Sequence, residues 1–528
     1  MPFIEIKKLS VHDPIQQKDL VANITFTLHR QRCLGVIGES GSGKSTVAKA
    51  LIGLIPPSLE MIGTILFDGE KLTSQTSQQW RGKRIGYIPQ DAMNAFNPIE
   101  TIGHQILETF QRHLGLRGKE GTAHAITGLE RVHLNNPHML MKKYPHELSG
   151  GMLQRVVIAI TIMLFPDVII ADEPTASLDA YNRREVITQL QRLKEETGAA
   201  LIIISHDLGV VQAIADELLV MHQGKMLEHR HAKEIFTSPE HPQTRHLLET
   251  RLRLSTPLEA LRQQKRESEG IPMLITANQL LKHGEDKGRF FHKEESIARI
   301  AQVSFQIGEG ECVGVVGESG SGKSTIARTL LGLETLDGGE IKIDGWPAHT
   351  WRKMNRGKMS VVFQDYLSSV HPSFTVKEII AEPMQIIKRN MDVNQKVLSL
   401  LKQVRLPSSL LNQYAHQLSG GQLQRVCIAR AISTNPAILI LDEVLSSLDV
   451  SVQVQILELL ETLKQELDMT ILMITHDLEA TVFLCDRLLF LHEGKLVEEC
   501  KSDQLFEATH PFTLKLINSL MPFQLDKK

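Results

Sequence analysis

The chain has 528 residues, 42% hydrophobic and 23% charged, with a net charge of −3. At roughly 150 residues per domain that length calls for two to four domains, and the composition excludes a disordered chain. No apolar run approaches the roughly 18 residues of a membrane span, and the slight acidity gives no global reason to expect nucleic acid.

In chain order, the N-terminal MPFIEIKKLSV lacks the apolar core of a signal peptide. The first strong signal is the apolar strand run CLGVIG leading into GESGSGKST, Gly38–Thr46, which fits G-x-x-x-x-G-K-[ST]. Its glycines Gly38, Gly41 and Gly43 let the backbone wrap around phosphate, so that amides from Ser40 to Thr46 converge on the oxygens and the following helix adds its dipole. Lys44 reaches the β- and γ-phosphates and Ser45 ligates Mg²⁺. Next comes LSGGMLQRV, Leu148–Val156, a serine and two glycines ahead of an amphipathic helix. VIIADE, Val168–Glu173, reads as a buried parallel strand ending in two carboxylates. EVITQLQRLKEETG has helical periodicity and a glycine stop. A second buried strand, LIIIS, precedes His206 in SHDL.

Residues 1–250 form one domain on this reading, 251–271 a polar connector with some helix, and 272–528 a second domain. The second domain repeats the first. GESGSGKST returns at Gly317–Thr325, offset by 279 (323 − 44), as Gly317, Ser319, Gly320, Gly322, Lys323, Ser324 and Thr325. LSGGQLQRV, ILILDE and THDL all return at an offset of 270 (419 − 149, 442 − 172, 476 − 206). Four motifs in fixed order and spacing mean a duplicated domain. Strands alternating with helices give each copy an α/β fold with a mostly parallel sheet, whose ligands gather at the carboxyl ends of the strands.

Asp172 and Asp442 end their strands beside the phosphate loops, where a hydrated Mg²⁺ would sit. Glu173 and Glu443, one residue on, are the candidate general bases for a water attacking the γ-phosphate. His206 and His476 lie at one fixed distance from them in sequence (206 − 173 = 476 − 443 = 33) and offer a hydrogen bond to phosphate or water. Ser149, Gly150 and Gly151, with Ser419, Gly420 and Gly421, make a second anion-binding helix start in each copy. Each copy already has a phosphate loop, so this second set points to the other copy's nucleotide. The five cysteines, Cys33, Cys312, Cys427, Cys485 and Cys500, form no C-x-x-C pair. Cys33 and Cys312, in the strand-like runs CLGVIG and CVGVVG, read as buried small hydrophobes, and a reducing compartment fits.

This motif set resembles the ATP-binding domain of ABC transporters, twice over and across nearly the whole chain. The resemblance implies two tandem P-loop NTPase domains, each with a helical subdomain carrying LSGG, the signature segment. It implies head-to-tail pairing: ATP at Lys44 closed by Ser419–Gly421, and ATP at Lys323 closed by Ser149–Gly151. Gln90 and Gln364 match the Q-loop glutamines, which touch Mg²⁺ and water and sense the membrane subunits. Asp179 and Asp449, in SLD, match the D-loop aspartates at the dimer seam. Both sites are complete, so two hydrolytic sites are expected. There are two departures. Val444 stands where the family usually has proline after DE. The adenine-stacking aromatic is missing from VHDPIQQ in the first copy, whereas Phe290 or Phe291 offers one in the second.

QDAMNAFNP after Gln90, QDYLSSVHP after Gln364, and HPQT (His241–Thr244) and HPFT (His510–Thr513) look like the peptide/nickel branch of ABC importers. LSGGMLQR and QLSGGQLQRVCIARA are particularly similar to the ATPase pair of nickel importers, here fused. That implies two membrane permease subunits and an extracytoplasmic solute-binding protein as partners, at the cytoplasmic face of the inner membrane. The competing readings are a soluble tandem ATPase acting on the ribosome, which usually has a long charged arm between its halves, and a tandem sugar-importer ATPase, against which the HP-x-T tails argue.

Overall fold

The computed structural model describes residues 2–175, 178, 180–260, 272–284, 298–318, 320–387, 393–445, 448–520 and 523. The chain divides into two compact units. One takes in Met1–Leu252, Asp449–Ser451 and Ser519–Lys528, and the other Arg253–Leu448 and Val452–Asn518.

In the first unit the strand Cys33–Gly38 is buried along its whole length. It pairs in parallel with Ala200–Ile204 on one side and Glu217–His222 on the other. Val168–Asp172 and Ile85–Ile88 extend the sheet in parallel beyond Ala200–Ile204, and Lys225–His231 closes the opposite edge antiparallel. Runs such as VIIAD and ALIII have every residue buried, as a parallel sheet covered on both faces requires. Because the chain returns to both sides of Cys33–Gly38, a crevice opens at the carboxyl end of that strand, where the glycine loop begins.

The second unit repeats this order: Met359–Val362, Ile438–Asp442, Thr470–Thr475, Cys312–Gly317, Arg487–His492, Lys495–Lys501. The expected strands and the long helices after them, Ala180–Thr197 and Val450–Leu467, are all present, and Gly198 stops the first helix with φ 71°. A helical layer follows the sheet's edge in each unit. In the first it comprises Ile102–Leu114, Gly118–Arg131 and Gly150–Met163, packed around Phe110, Leu129, Leu153 and Ile158. Cys33 and Cys312 are buried free thiols, as their apolar runs suggested; Cys427 and Cys485 are buried too, and Cys500 is half-buried.

Each unit also carries a four-stranded antiparallel sheet that strand periodicity alone did not reveal. Ile4–Asp13, Lys18–Leu28, Glu60–Phe67 and Glu70–Lys71 form the first, and Met273–His283, Ala298–Gly308, Gly338–Ile343 and Trp346–Pro347 the second. Their central strands are bulged, and the bulge residues Lys8 and Gln279 adopt φ 52° and 46°. A bulge shifts the two-residue alternation by one and scrambles its pattern. A glycine crosses each bulge: a Cβ at Gly339 would meet the Gln279 carbonyl oxygen at 2.3 Å.

Gly339 and Gly345 have similar positive φ, 82° and 75°, but only Gly345 faces open space. Both alanine substitutions carry the left-handed penalty of about 1–2 kcal/mol. Gly339→Ala adds a backbone clash costing about 1–3 kcal/mol more. Urea unfolding of the second unit, followed through Trp346 and Trp351, should therefore rank Gly339→Ala well below Gly345→Ala, and equal midpoints would refute the clash.

Candidate functional site

The phosphate loops take their shape from glycines that no other residue could replace. Gly43 caps the helix Lys44–Leu51 with φ 95°, and a Cβ there would strike the Leu20 carbonyl oxygen at 2.6 Å. Gly322 does the same before Lys323–Leu331, with φ 100° and the Arg299 oxygen at 2.4 Å. A Cβ on Gly38 would lie 2.2 Å from the Met221 oxygen, and one on Gly317 2.2 Å from the Leu491 oxygen. Gly41 and Gly320, at the loop tips, face open space. Ser40 is exposed, Thr46 half-buried and Thr325 buried. Ser319 lies outside the described residues.

Both lysines are buried. Lys44 Nζ donates to the carbonyls of Gly38 and Glu39, each at 2.8 Å, and Lys323 Nζ to those of Gly317 and Glu318, each at 2.7 Å. Burial lowers the Lys44 pKa against the opposing charges of Glu173, Asp449 and Asp172. An ammonium held by neutral carbonyls at the mouth of an amide-lined loop is suited to phosphate oxygens.

Ser45 Oγ donates to Asp172 Oδ1 at 3.0 Å, and Ser324 Oγ to Asp442 Oδ1 at 3.1 Å. Burial raises both aspartate pKa values, partly offset by the serine bonds. A hydroxyl and a carboxylate oxygen side by side, short of positive charge, fit Mg²⁺ as a hard oxygen-seeking ion. Tyr87 was not foreseen: its hydroxyl approaches Asp172 Oδ2 at 3.5 Å, and Val361 occupies the matching place in the second unit.

Glu173 and Glu443 sit at φ 50° and 49°, sharp turns off their strands. Their amides donate to the carbonyls of Ile204 and Ile474 at 2.9 and 2.8 Å. The side chains are engaged differently. Glu173 Oε2 meets His206 Nδ1 at 2.8 Å. Glu443 accepts from Gln364 Nε2 at 2.9 Å, while His476 stands 3.7 Å away. Thus Gln364, Glu443 and His476 lie together, whereas Gln90, exposed like Gln364, makes no hydrogen bond to Glu173 among the described residues.

Ser149 caps Gly150–Met163 and Ser419 caps Gly420–Ile432, each accepting from the amide three residues on at 3.3 Å. Both serines and the first glycine of each pair are exposed, and Gly151 and Gly421 half-buried. Asp449 precedes the helix Val450–Leu467 and accepts from Ser451 Oγ at 2.6 Å. It belongs to the first compact unit, where it lines a small cavity with Gly38, Glu39, Ser205, His206 and Ser451. Asp179, Phe290 and Phe291 lie outside the described residues. VHDPIQQ ends the strand Ile4–Asp13 and makes the turn into Lys18–Leu28, with Ile15 82% exposed at its tip. Val444 is buried, and its carbonyl accepts from Gln424 Nε2 at 2.6 Å.

The HP-x-T segments prove to be helix starts clamped by a distant carboxylate. Glu228 accepts from the amides of Glu240 and His241 at 3.2 and 2.6 Å, and Glu498 from those of Thr509 and His510 at 2.7 and 3.2 Å. Burial pushes both carboxyls up, but these amide bonds, joined by side-chain bonds from Arg230 to Glu228 and from the Thr509 hydroxyl to Glu498, hold them below the usual glutamate range.

Residues 21–176 and 300–446 each match the family model described as ABC transporter. The chain is 34% identical to the glutathione import ATP-binding protein GsiA of Pectobacterium atrosepticum, across 98% of this chain and 89% of that protein. It is 35% identical to the protein of that name from Escherichia coli K12, across 94% and 86%. Among solved structures, the archaeal ribosome recycling factor aABCE1, bound to stalk protein aP1, superposes with a TM-score of 0.62 over 93% of this chain and 90% of that one. At 22% identity that likeness speaks for the fold alone.

Burial lowers the His206 pKa, but the bond to and charge of Glu173 outweigh it and leave the group raised above 6.5. The stabilisation is therefore complete below the unfolded value and is lost as pH rises through the folded one. An NMR titration should find the His206 midpoint above 6.5 and falling in Glu173→Gln. A midpoint unmoved by that substitution would dissolve the pairing.

Proposed function

The chain belongs to the ABC transporter family, and on that footing we propose that it is the ATP-hydrolysing subunit of an importer, with both nucleotide sites catalytic. The observation that carries this reading is a full set of groups built twice. Each unit has a carbonyl-held lysine, a serine–aspartate pair and a glutamate turned toward a histidine or glutamine.

In this reading Lys44 and Lys323 grip the β- and γ-phosphates, and Ser45 with Asp172, and Ser324 with Asp442, hold Mg²⁺. The bound ion supplies positive charge against that developing on the phosphates. Glu173 and Glu443 take a proton from the attacking water. His206 and His476 orient that water or the γ-phosphate, and Gln90 and Gln364 complete the ring. Ser149–Gly151 and Ser419–Gly421 each close the opposite repeat's nucleotide, with Asp179 and Asp449 at the seam.

Among the described residues no helix is long and apolar enough to cross a membrane. Transport then requires two separate permease subunits, served by an extracytoplasmic binding protein, with this chain at the cytoplasmic face. The docking surface is Gln90–Asn97 and Gln364–His371. The relatives named for glutathione import favour a small peptide-type cargo over a nickel chelate. The HP-x-T segments mark the branch and do not choose between these cargoes; in the structure their contacts are those of a helix clamp.

Lys44→Ala and Lys323→Ala should each lower ATPase activity by roughly 10²-fold or more, and Glu173→Gln with Glu443→Gln should retain ATP without turnover. Full activity in either lysine variant, or rapid turnover in the double glutamine variant, would remove that site from catalysis. Reconstituted with its permease and binding protein, the wild type should accumulate labelled glutathione. Accumulation of ⁶³Ni²⁺ instead would overturn the cargo assignment while leaving the ATPase intact.

A further inference from the structure

The helix behind each signature segment buries one glutamine, Gln154 with 1% and Gln424 with 0% exposure. Neither has a part in the chemistry described above. Gln154 Nε2 donates to the carbonyl of Pro89, the residue before Gln90, at 3.1 Å. Gln424 Nε2 donates to the carbonyl of Val444, the residue after Glu443, at 2.6 Å. The two glutamines occupy one position of the repeat (424 − 154 = 270), and Pro174 matches Val444 at the same offset (444 − 174 = 270). Phe363 matches Pro89, each standing before its Q-loop glutamine. The same side chain thus holds different main-chain carbonyls in the two units. In both, its Oε1 is buried without a hydrogen-bond partner among the described residues. A buried amide satisfied at only one end is unusual in a settled core.

The neighbouring groups change in step. Where Gln154 holds Pro89, Glu173 pairs with His206 at 2.8 Å and Gln90 makes no bond to it among the described residues. Where Gln424 holds Val444 instead, Gln364 reaches Glu443 at 2.9 Å and His476 stands back at 3.7 Å.

We propose that Gln154 and Gln424 are two-position ties that exchange between the carbonyl before the Q-loop glutamine and the carbonyl after the general base during the ATPase cycle. They are positioning residues. Held on the first carbonyl, the tie fixes the segment leading into the Q-loop glutamine. Held on the second, it fixes the turn carrying the base and lets the Q-loop glutamine engage that base. Because the same helix begins with the signature serine, the exchange links one nucleotide site to the segment that closes the other. This inference rests on the ATPase reading above.

The test uses the full chain carrying Gln154→Leu or Gln424→Leu, with Gln→Met at the same positions should leucine prevent folding. The expected result is a KM for ATP within about twofold of wild type and a kcat lowered about tenfold, the size of one coupling between sites. Hydrogen–deuterium exchange supplies the second readout. In Gln154→Leu the amides around Gln90 should exchange faster while those around Glu173 stay protected. In Gln424→Leu the amides around Glu443 should loosen while those around Gln364 do not. Wild-type kcat in both variants, or equal loosening of both segments in each, would overturn the proposal. A wild-type chain without ATPase activity would instead sink the reading on which it rests.

Discussion

A buried ammonium held on two main-chain carbonyls is the constraint on which each unit is built. Lys44 and Lys323 cannot reach those carbonyls unless the loop folds back over the start of the helix. That fold requires a positive φ at Gly43 and Gly322 and a bare Cα at Gly38 and Gly317. The loop in turn needs a strand with neighbours on both sides, so that its carboxyl end opens into a crevice. The neighbouring strands then deliver the other groups. Val168–Asp172 brings the Asp172 carboxylate to within 3.0 Å of Ser45, and the turn after Ala200–Ile204 brings His206 to Glu173. One lysine's coordination therefore dictates the strand order, and the strand order assembles the site.

The parallel strands, the phosphate loops and the acidic strand ends were legible because their chemistry needs contiguous residues. VIIADE and ILILDE announce a buried strand and its carboxylates in one run. The antiparallel sheets were not legible, since bulges at Lys8 and Gln279 break the alternation that marks a strand. Contacts between residues distant in sequence were hidden for another reason. Tyr87 meets Asp172 only because parallel pairing sets Ile85–Ile88 beside Val168–Asp172.

The HP-x-T segments illustrate how a recognisable string can hide its structural partner when that partner is remote. Read alone, the string pointed to the peptide/nickel branch of importers, and relatives named for glutathione import agree with that branch. Glu228 and Glu498 lie 13 and 12 residues upstream of His241 and His510, too far for a short motif to include them. Their carboxylates satisfy amides at a helix start that has no intrahelical acceptor. The string is then a condition for docking the last helix of each unit, whatever crosses the membrane.

Duplication separates what the fold demands from what the reaction moves. The lysine–carbonyl bonds (2.8 and 2.7 Å) and the serine–aspartate pairs (3.0 and 3.1 Å) recur almost unchanged in both units, and the glutamate clamps recur on the matching pair of amides. The groups around the general base do not. Glu173 is bound by a histidine, Glu443 by a glutamine, and the buried glutamine behind each signature segment has changed its acceptor. Two copies with the same strand order differ around the glutamates proposed as general bases. A single hydrogen bond there is worth only about 0.5–1.5 kcal/mol, against the roughly 5.5 kcal/mol needed to turn a two-state element from 1:99 to 99:1. No one of these bonds can drive closure. They are cheap enough to exchange while nucleotide binding supplies the bias, and that is the property a coupling element between two ATP sites requires.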